Sequence, residues 1–302
     1  MVDERTFTRG LAAFFAGVRD VPVGIGDDAA VLDFDGARVT VTCDPVVAGV
    51  HFEPTADPVA IGRKAILRNV SDLAAMGAEP AYALVSVLLP RDAAHVRDGV
   101  FEGLRSAAVE CGVQVVGGDI GTTPGPLTIT CTLIGRSTER VLRRDGGEVG
   151  DRIHVTGPLG GALLGRHLEP RPRVAEGLWL VERSEVRAAI DVSDGLTLDL
   201  ATLLIASGLP GAELDEIAIP VHDDAVRAAS SDGSTALEHA LADGEDYELL
   251  FLVRGDSLPA DGPLAPCARR PIGRTIDREG IWLRAVDGSA RRLEVGGYQH
   301  GI

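Results

Sequence analysis

Apolar and polar positions along this chain fall into short alternating runs punctuated by glycine, with a few longer stretches of helical period. Ala30-Val31-Leu32-Asp33-Phe34 and Arg38-Val39-Thr40-Val41-Thr42 flank Asp35-Gly36, the turn dipeptide of a β-hairpin. Asp57-Pro58 then caps a helix that runs to about Met76, where Gly77 stops it. The pattern predicts a strand over Tyr82–Leu89 and a second helix over Asp92–Glu110 closed by Gly112. Val113–Val116 reads as a strand that ends on Gly117-Gly118-Asp119, and Leu127–Ile134 alternates β-branched and polar residues as a further strand. Past the glycine-rich segment 145–151, strands are expected over Arg152–Thr156, Ala188–Val192, Glu213–Ile219 and Tyr247–Val253, with others near Ile272 and Ile281. A helix over Leu196–Ala206 ends at Gly208. Strands and helices mix without a steady βαβ rhythm, so the expected class is α+β, with mixed or antiparallel sheets and helices packed on one face.

A length of 302 residues allows two domains, and the run from Asp145 to Asp151 is the best boundary, giving residues 1–148 and 149–302. The formal charge of −16 disfavours nucleic acid as a partner, because a phosphate backbone attracts a basic surface. Cys43, Cys111, Cys131 and Cys267 are scattered without a C-x-x-C, so neither a disulfide framework nor a zinc site is indicated. The apolar run Leu11–Ala16 is too short to span a membrane and has no cleavage pattern; it reads as an amphipathic helix, and a cytoplasmic protein without membrane contact is expected. Lys64, the only lysine, falls in the middle of a helix.

Aspartates recur in small glycine-flanked settings: Gly26-Asp27-Asp28, Cys43-Asp44, Ser71-Asp72, Gly117-Gly118-Asp119, Asp191-Val192-Ser193-Asp194-Gly195 and Gly244-Glu245-Asp246. Folding does not require such a series, since carboxylates prefer water and repel one another. Converging oxygen ligands without His or Cys point to Mg²⁺ or Mn²⁺, with phosphate as the companion. Gly24-Ile25-Gly26-Asp27-Asp28-Ala29 matches a dinucleotide fingerprint superficially, but a hairpin follows it instead of a helix, and two carboxylates would repel a pyrophosphate. No G-x-x-x-x-G-K-[ST] loop is present. Asp72 shares a helix face with Asn69 and needs either a metal or an arginine such as Arg68. Gly117-Gly118-Asp119 is equally a tight turn, and Ser193 or Asp194 equally a helix cap. His51 and Arg144 carry no signal of their own.

Together and in this order the segments resemble the thiamine-monophosphate kinases. The resemblance rests on Gly24–Ala29, Asp44 with Gly49-Val50-His51-Phe52, Asn69–Ala78, Gly117-Gly118-Asp119, Ile190–Leu196, Arg166-His167-Leu168 with Pro172-Arg173-Val174, and Gly244–Leu249. It covers nearly the whole chain, and the ten-residue Asn69–Ala78 block is very specific. The resemblance implies a two-domain fold like that of aminoimidazole ribonucleotide synthetase, whose N-terminal domains pair in a homodimer. It also implies ATP-dependent phosphorylation of thiamine monophosphate to thiamine diphosphate by direct transfer with several Mg²⁺ ions. On that basis Asp28, Thr42, Asp44, Asp72, Asp119, Asp191 and Asp194 hold metal, while Gly118, Asp119, Arg144 and Ser193 contact ATP. His51, Glu245 and Val295 face the thiamine phosphate. No catalytic base is expected, because the acceptor is already an anion and the obstacle is charge repulsion.

The chain departs from the family where Cys43 replaces a threonine, where Ile120–Gly125 lengthens the run after Gly-Gly-Asp, and where Val295 stands in for an aromatic. The segment between Gly157 and Arg166 is shortened. These departures leave two alternatives: a related ATP-dependent enzyme with another small substrate, or a nucleotide-binding dimer without catalysis.

Overall fold

The computed structural model of the chain describes residues 10–11, 15, 19–91, 93–255, 258–259 and 261–299. The helix expected over Leu11–Ala16, and Asp92 at the expected start of the second helix, lie largely or wholly outside them. The hairpin is as the alternation predicts. β1 (Ala30–Phe34) pairs antiparallel with β2 (Ala37–Val47), and Asp35 and Gly36 both take positive φ, 53° and 92°, as a type I′ turn requires. β3 (Glu79–Pro90), β4 (Gln114–Thr123) and β5 (Thr128–Arg136) complete a five-stranded sheet in the order β1-β2-β5-β3-β4, mixed because β3 and β4 run parallel.

Two helices, α1 (Pro58–Ala75) and α2 (Ala94–Glu110), cover one face of this sheet. They approach closely because a Cβ on Gly62 would lie 2.1 Å from the Val100 carbonyl oxygen, and one on Gly103 2.0 Å from that of Val59. Inward residues of β3 and β5, among them Val87, Leu89, Ile129 and Leu133, meet Ile66, Val70, Leu73, Val100 and Leu104 in a dry core. Among the described residues no helix packs on the opposite face. Tyr82, Leu84 and Leu88 of β3 and Val115, Val116 and Ile120 of β4 are exposed there or along the β4 edge.

Strand β4 does not end at Gly117-Gly118-Asp119, contrary to the expectation, but runs through it. β3 offers it partners from Tyr82 to Pro90, and a bulge between Ala83 and Leu84 absorbs Val116. Gly118 (φ 145°) passes so close to β3 that a Cβ would overlap the Val85 carbonyl oxygen.

Beyond it, β6 (Arg152–Val155), β7 (Val186–Asp191), β8 (Gly211–Asp215), β9 (Leu249–Val253), β10 (Gly273–Ile276), β11 (Gly280–Arg284) and β12 (Ala290–Arg292) form a seven-stranded sheet. Its order is β12-β11-β8-β10-β6-β9-β7, antiparallel except for β8 and β11. The strand expected over Glu213–Ile219 stops at Asp215 and turns into a 3₁₀ segment, Glu216–Ala218. α4 (Leu196–Ala206) and α6 (Ala236–Ala242) pack on one face of the sheet, joined by α5 (Asp223–Asp232) at the periphery. Its other face meets the end of α1 and α3 (Val174–Val181), through Ala74, Ala75, Leu180, Val181, Ala189 and Phe251. Among the described residues, helices thus flank this second sheet on both sides, whereas the first has them on one. A Cβ on Gly177 would lie 2.0 Å from the Ala74 carbonyl oxygen, so α3 seats directly on the α1 backbone. α1 is therefore shared by both sheets, which sets its inner face beside the end of β7. No helix among the described residues is long and apolar enough to cross a membrane.

Candidate active site

Three carboxylates from distant segments meet where α1 crosses the end of β7. Asp28 comes from the loop before β1, Asp72 from α1 and Asp191 from the last position of β7; one oxygen of each lies within 4.8 Å of the others. Each is fixed from behind. Arg144 grips Asp28 with two bonds, Nη2 to Oδ1 at 2.7 Å and Nε to Oδ2 at 3.2 Å. Thr42 Oγ1 donates to Asp72 (2.6 Å), and Ser71 Oγ donates to Asp191 (2.7 Å). Burial, then the neighbouring carboxylates, hold Asp72 and Asp191 well above the ordinary carboxylate range. Three carboxylates facing one guanidinium leave an excess of buried negative charge that a hard divalent cation would relieve. The donor set, all oxygen with hydroxyls behind it, fits Mg²⁺.

Local sequence explains each placement. Asn69 is fully buried and pins β2 to α1: its Oδ1 accepts the Asp44 N–H (2.9 Å), and its Nδ2 donates to the carbonyls of Asp44 and Ala65. Asp72, one turn later, then points to the same junction. Arg68 pairs with Asp44 (2.7 Å) rather than with Asp72, which leaves Asp72 to the cluster. Ser193 and Asp194 are not helix caps. Asp199 Oδ2 accepts the N–H groups of both Asp194 and Gly195, each at 3.0 Å, so the start of α4 is capped from within the helix. Asp27 is a loop fastener, with its carboxylate accepting the N–H of Asp28 and of Arg144; burial and Asp28 push its pKa up to about 6.

Beside the carboxylates lies a cavity of about 330 Å³ whose walls include His51, His167, Ser193, Asp194, Glu245 and Tyr298. His51 Nδ1 accepts the Val47 N–H (3.1 Å), so the neutral ring carries its proton on Nε2. Glu245 and Tyr247 both have positive φ, 57° and 54°, a costly conformation for non-glycine residues. Backbone bonds from Glu245 N to Ser193 O (2.7 Å) and from Tyr247 N to Val192 O (2.9 Å) hold this loop in place. Asp246 and Glu248 turn the other way. Asp246 binds Arg166 and the Gly160 N–H, burial pushing its pKa up to about 6, while Glu248 binds Thr156 and Arg173. Gly160 and Gly161 thus give their N–H groups to Asp246 and Asp243, and the Gly157–Gly161 turn is structural.

Three expected residues fall elsewhere. Gly118 and Asp119 lie on β4, and Asp44, Cys131, Val85 and Gly118 form one row across β2, β5, β3 and β4. Three strand spacings, about 14 Å, therefore separate Asp44 from Gly118 within the chain. Val295 does not line the cavity, whereas Tyr298 does. The Tyr298 N–H donates to Asp194 O (2.9 Å), and Thr197 Oγ1 binds Gly296, so the chain end is laid over the start of α4 with Tyr298 at the mouth.

Sequence reasoning missed Lys64. Its side chain is fully buried behind the cavity, bonded to His51 O (2.6 Å), His167 Nδ1 (2.9 Å) and Glu245 Oε2 (2.5 Å). The available signal was a solitary lysine at i−4 to Arg68 and i−8 to Asp72, on the same inward stripe of α1.

Residues 26–137 match the family model for AIR synthase related protein, N-terminal domain. The thiamine-monophosphate kinase of Rhodopirellula baltica is 40% identical, over 99% of this chain and 97% of its own length. That of Escherichia coli K12 is 36% identical, over 96% of each. Among solved structures, AaThiL complexed with AMPPCP and TMP matches with a TM-score of 0.85 at 29% identity, covering 99% of this chain and 97% of that one.

Proposed function

Because the chain belongs to the thiamine-monophosphate kinase family, we infer that it transfers the terminal phosphoryl group of ATP to thiamine monophosphate, forming thiamine diphosphate. The observation that carries this reading is the convergence of Asp28, Asp72 and Asp191 beside a cavity large enough for a small phosphorylated ligand. The phosphate of thiamine monophosphate is itself the nucleophile, so no side chain has to remove a proton. The protein's task is to hold two polyanions in line and exclude water.

Asp28, Asp72 and Asp191, with Thr42, Asp44 and Asp194 around them, bind Mg²⁺. Metal held there would supply charge neutralisation for the two phosphates, while these side chains fix where it sits. Arg144, fixed on Asp28, and Ser193, whose hydroxyl has no capping duty, contact ATP. His51 donates from Nε2 to the acceptor phosphate, and the Glu245 carboxylate offsets the positive charge of the thiazolium ring. Tyr298 takes the ring-facing role expected of Val295, placing an aromatic face at the mouth of the cavity. An aromatic at that place supports a thiamine ring as the ligand.

The protein works as a homodimer. The face of the five-stranded sheet opposite α1 and α2 carries Tyr82, Leu84 and Leu88, an apolar surface that, among the described residues, nothing in the monomer covers. Asp119 is in register with Ser86 of that face, and Cys43 of β2 is exposed on it beside Asp44. A second copy packed on this face brings the partner's Asp119 toward Asp44, which no intrachain path does. Residues 1–148 then form the dimerising, metal-binding domain, and 149–302 close the substrate site over it. Incubation of purified protein with MgATP and thiamine monophosphate tests the activity. Accumulation of thiamine diphosphate is expected; an ATP-dependent thermal shift without product would support a nucleotide-binding dimer instead.

A further inference from the structure

Lys64 reaches three different segments of the cavity wall, yet does not itself line the cavity. An ammonium has three N–H donors, and each is used: on the His51 carbonyl in the loop after β2, on His167 in the 3₁₀ segment Arg166–Leu168, and on Glu245 in the loop between α6 and β9. A buried lysine is costly unless paired, and burial does push its pKa down, against the carboxylate of Glu245. For stability alone, an apolar residue of similar volume would serve as well. What an apolar residue cannot supply is the orientation of its three partners.

That orientation has chemical content. All bonds to the Glu245 side chain among the described residues fall on Oε2, from Lys64 and from the Tyr247 hydroxyl (3.2 Å), so Oε1 is left to a ligand. The ammonium can only donate, so His167 Nδ1 accepts and the ring proton sits on Nε2. Burial and the adjacent Lys64 push His167 down to about 4, which keeps the ring neutral near pH 7. The cavity wall therefore presents one carboxylate oxygen and two imidazole N–H donors, from His51 and His167, in a fixed pattern.

We propose that Lys64 is a positioning residue for the phosphorylated acceptor: from behind the cavity it orients Glu245 and fixes the tautomer of His167, making His167 Nε2 a further donor to the acceptor substrate. This rests on reading the cavity as the thiamine monophosphate site. The test is calorimetric titration of thiamine monophosphate and, separately, MgATP into wild type, Lys64→Met, Glu245→Gln and the double variant, with steady-state kinetics beside it. Losing a charged hydrogen bond predicts that Lys64→Met weakens thiamine monophosphate binding by about 10- to 100-fold, with MgATP affinity within about twofold of wild type. The double variant should lose far less than the product of the two single losses, because Lys64 acts through Glu245. Lys64→Gln, which keeps an N–H donor, takes the same measurement should the methionine variant not fold. Equal losses for both ligands, an unchanged affinity for thiamine monophosphate, or failure of both variants to fold would each assign Lys64 to stability alone and overturn the proposal. A wild-type protein that does not bind thiamine monophosphate would instead overturn the functional reading beneath it.

Discussion

Replacing Asp72 by asparagine should stabilise the metal-free protein and disable the enzyme. Asp72 shares its site with Asp28 and Asp191 within 4.8 Å, and at an effective dielectric of about 20 each such pair of charges repels by at least about 3.5 kcal/mol. Burial first, and then this repulsion, hold Asp72 and Asp191 well above their ordinary value of 3.8, so without metal the folded protein escapes part of the cost by keeping a proton on the cluster. The sign follows from linkage. A folded-state pKa raised above the unfolded one gives a contribution fully present below 3.8 and lost as pH rises toward the raised value. The substituted carboxamide cannot ionise, and its oxygen can still accept from Thr42. In EDTA near pH 8 the variant should therefore melt higher than wild type by about 2–4 °C for each kcal/mol recovered, with the gap closing as the pH falls toward 4. MgCl₂ should raise the melting temperature of wild type and barely move the variant. With MgATP and thiamine monophosphate, kcat should fall by at least about 10³-fold, as expected for removing a group that holds transition-state charge. Thermal scans in EDTA and in Mg²⁺, paired with product quantification, test both halves. A variant that is less stable in EDTA, or that keeps near-normal kcat at saturating Mg²⁺, would refute the metal-cage argument.

Arg144→Met removes the bidentate partner of Asp28 and leaves a buried carboxylate unpaired, so it should cost about 3 kcal/mol in chemical denaturation and raise KM for ATP. Tyr298→Ala should raise KM for thiamine monophosphate by about fivefold, the value of one cation–π contact, while Val295→Ala leaves it unchanged. If Asp119 acts across a homodimer, Asp72→Asn and Asp119→Asn proteins, each inactive alone, should regain about a quarter of wild-type activity after mixing and subunit exchange, because half the sites in each mixed dimer are intact. Leu84→Glu on the uncovered sheet face should yield monomers by light scattering and abolish that complementation.

Much of the local architecture was legible from pattern alone. The Asp35-Gly36 hairpin, the Asp57-Pro58 start of α1 and the Gly208 stop of α4 follow from turn and capping chemistry that acts within a few residues. So does the shared face of Asn69 and Asp72, since helical period needs no tertiary information. Misjudged positions were those governed by a neighbour distant in sequence. β4 continues through two glycines because β3 offers it partners, and the capping role left open for Ser193 and Asp194 goes to Asp199.

For this protein, the sequence by itself determined which chemistries were available: oxygen ligands without thiol or imidazole partners, no Walker loop, and an ordered set of motifs that matches one family. Only the tertiary structure decided which of those oxygens meet. Asp28, Asp72 and Asp191 converge because α1 is held between two sheets, whereas Asp119 is carried three strands away by the order β2-β5-β3-β4. Strand order and register are non-local, so no periodicity along the chain reports them. The same holds for Lys64: a helical wheel places it inward, but only the packing of the Arg166–Leu168 and Glu245 segments onto α1 supplies the three acceptors that make a buried ammonium tolerable there.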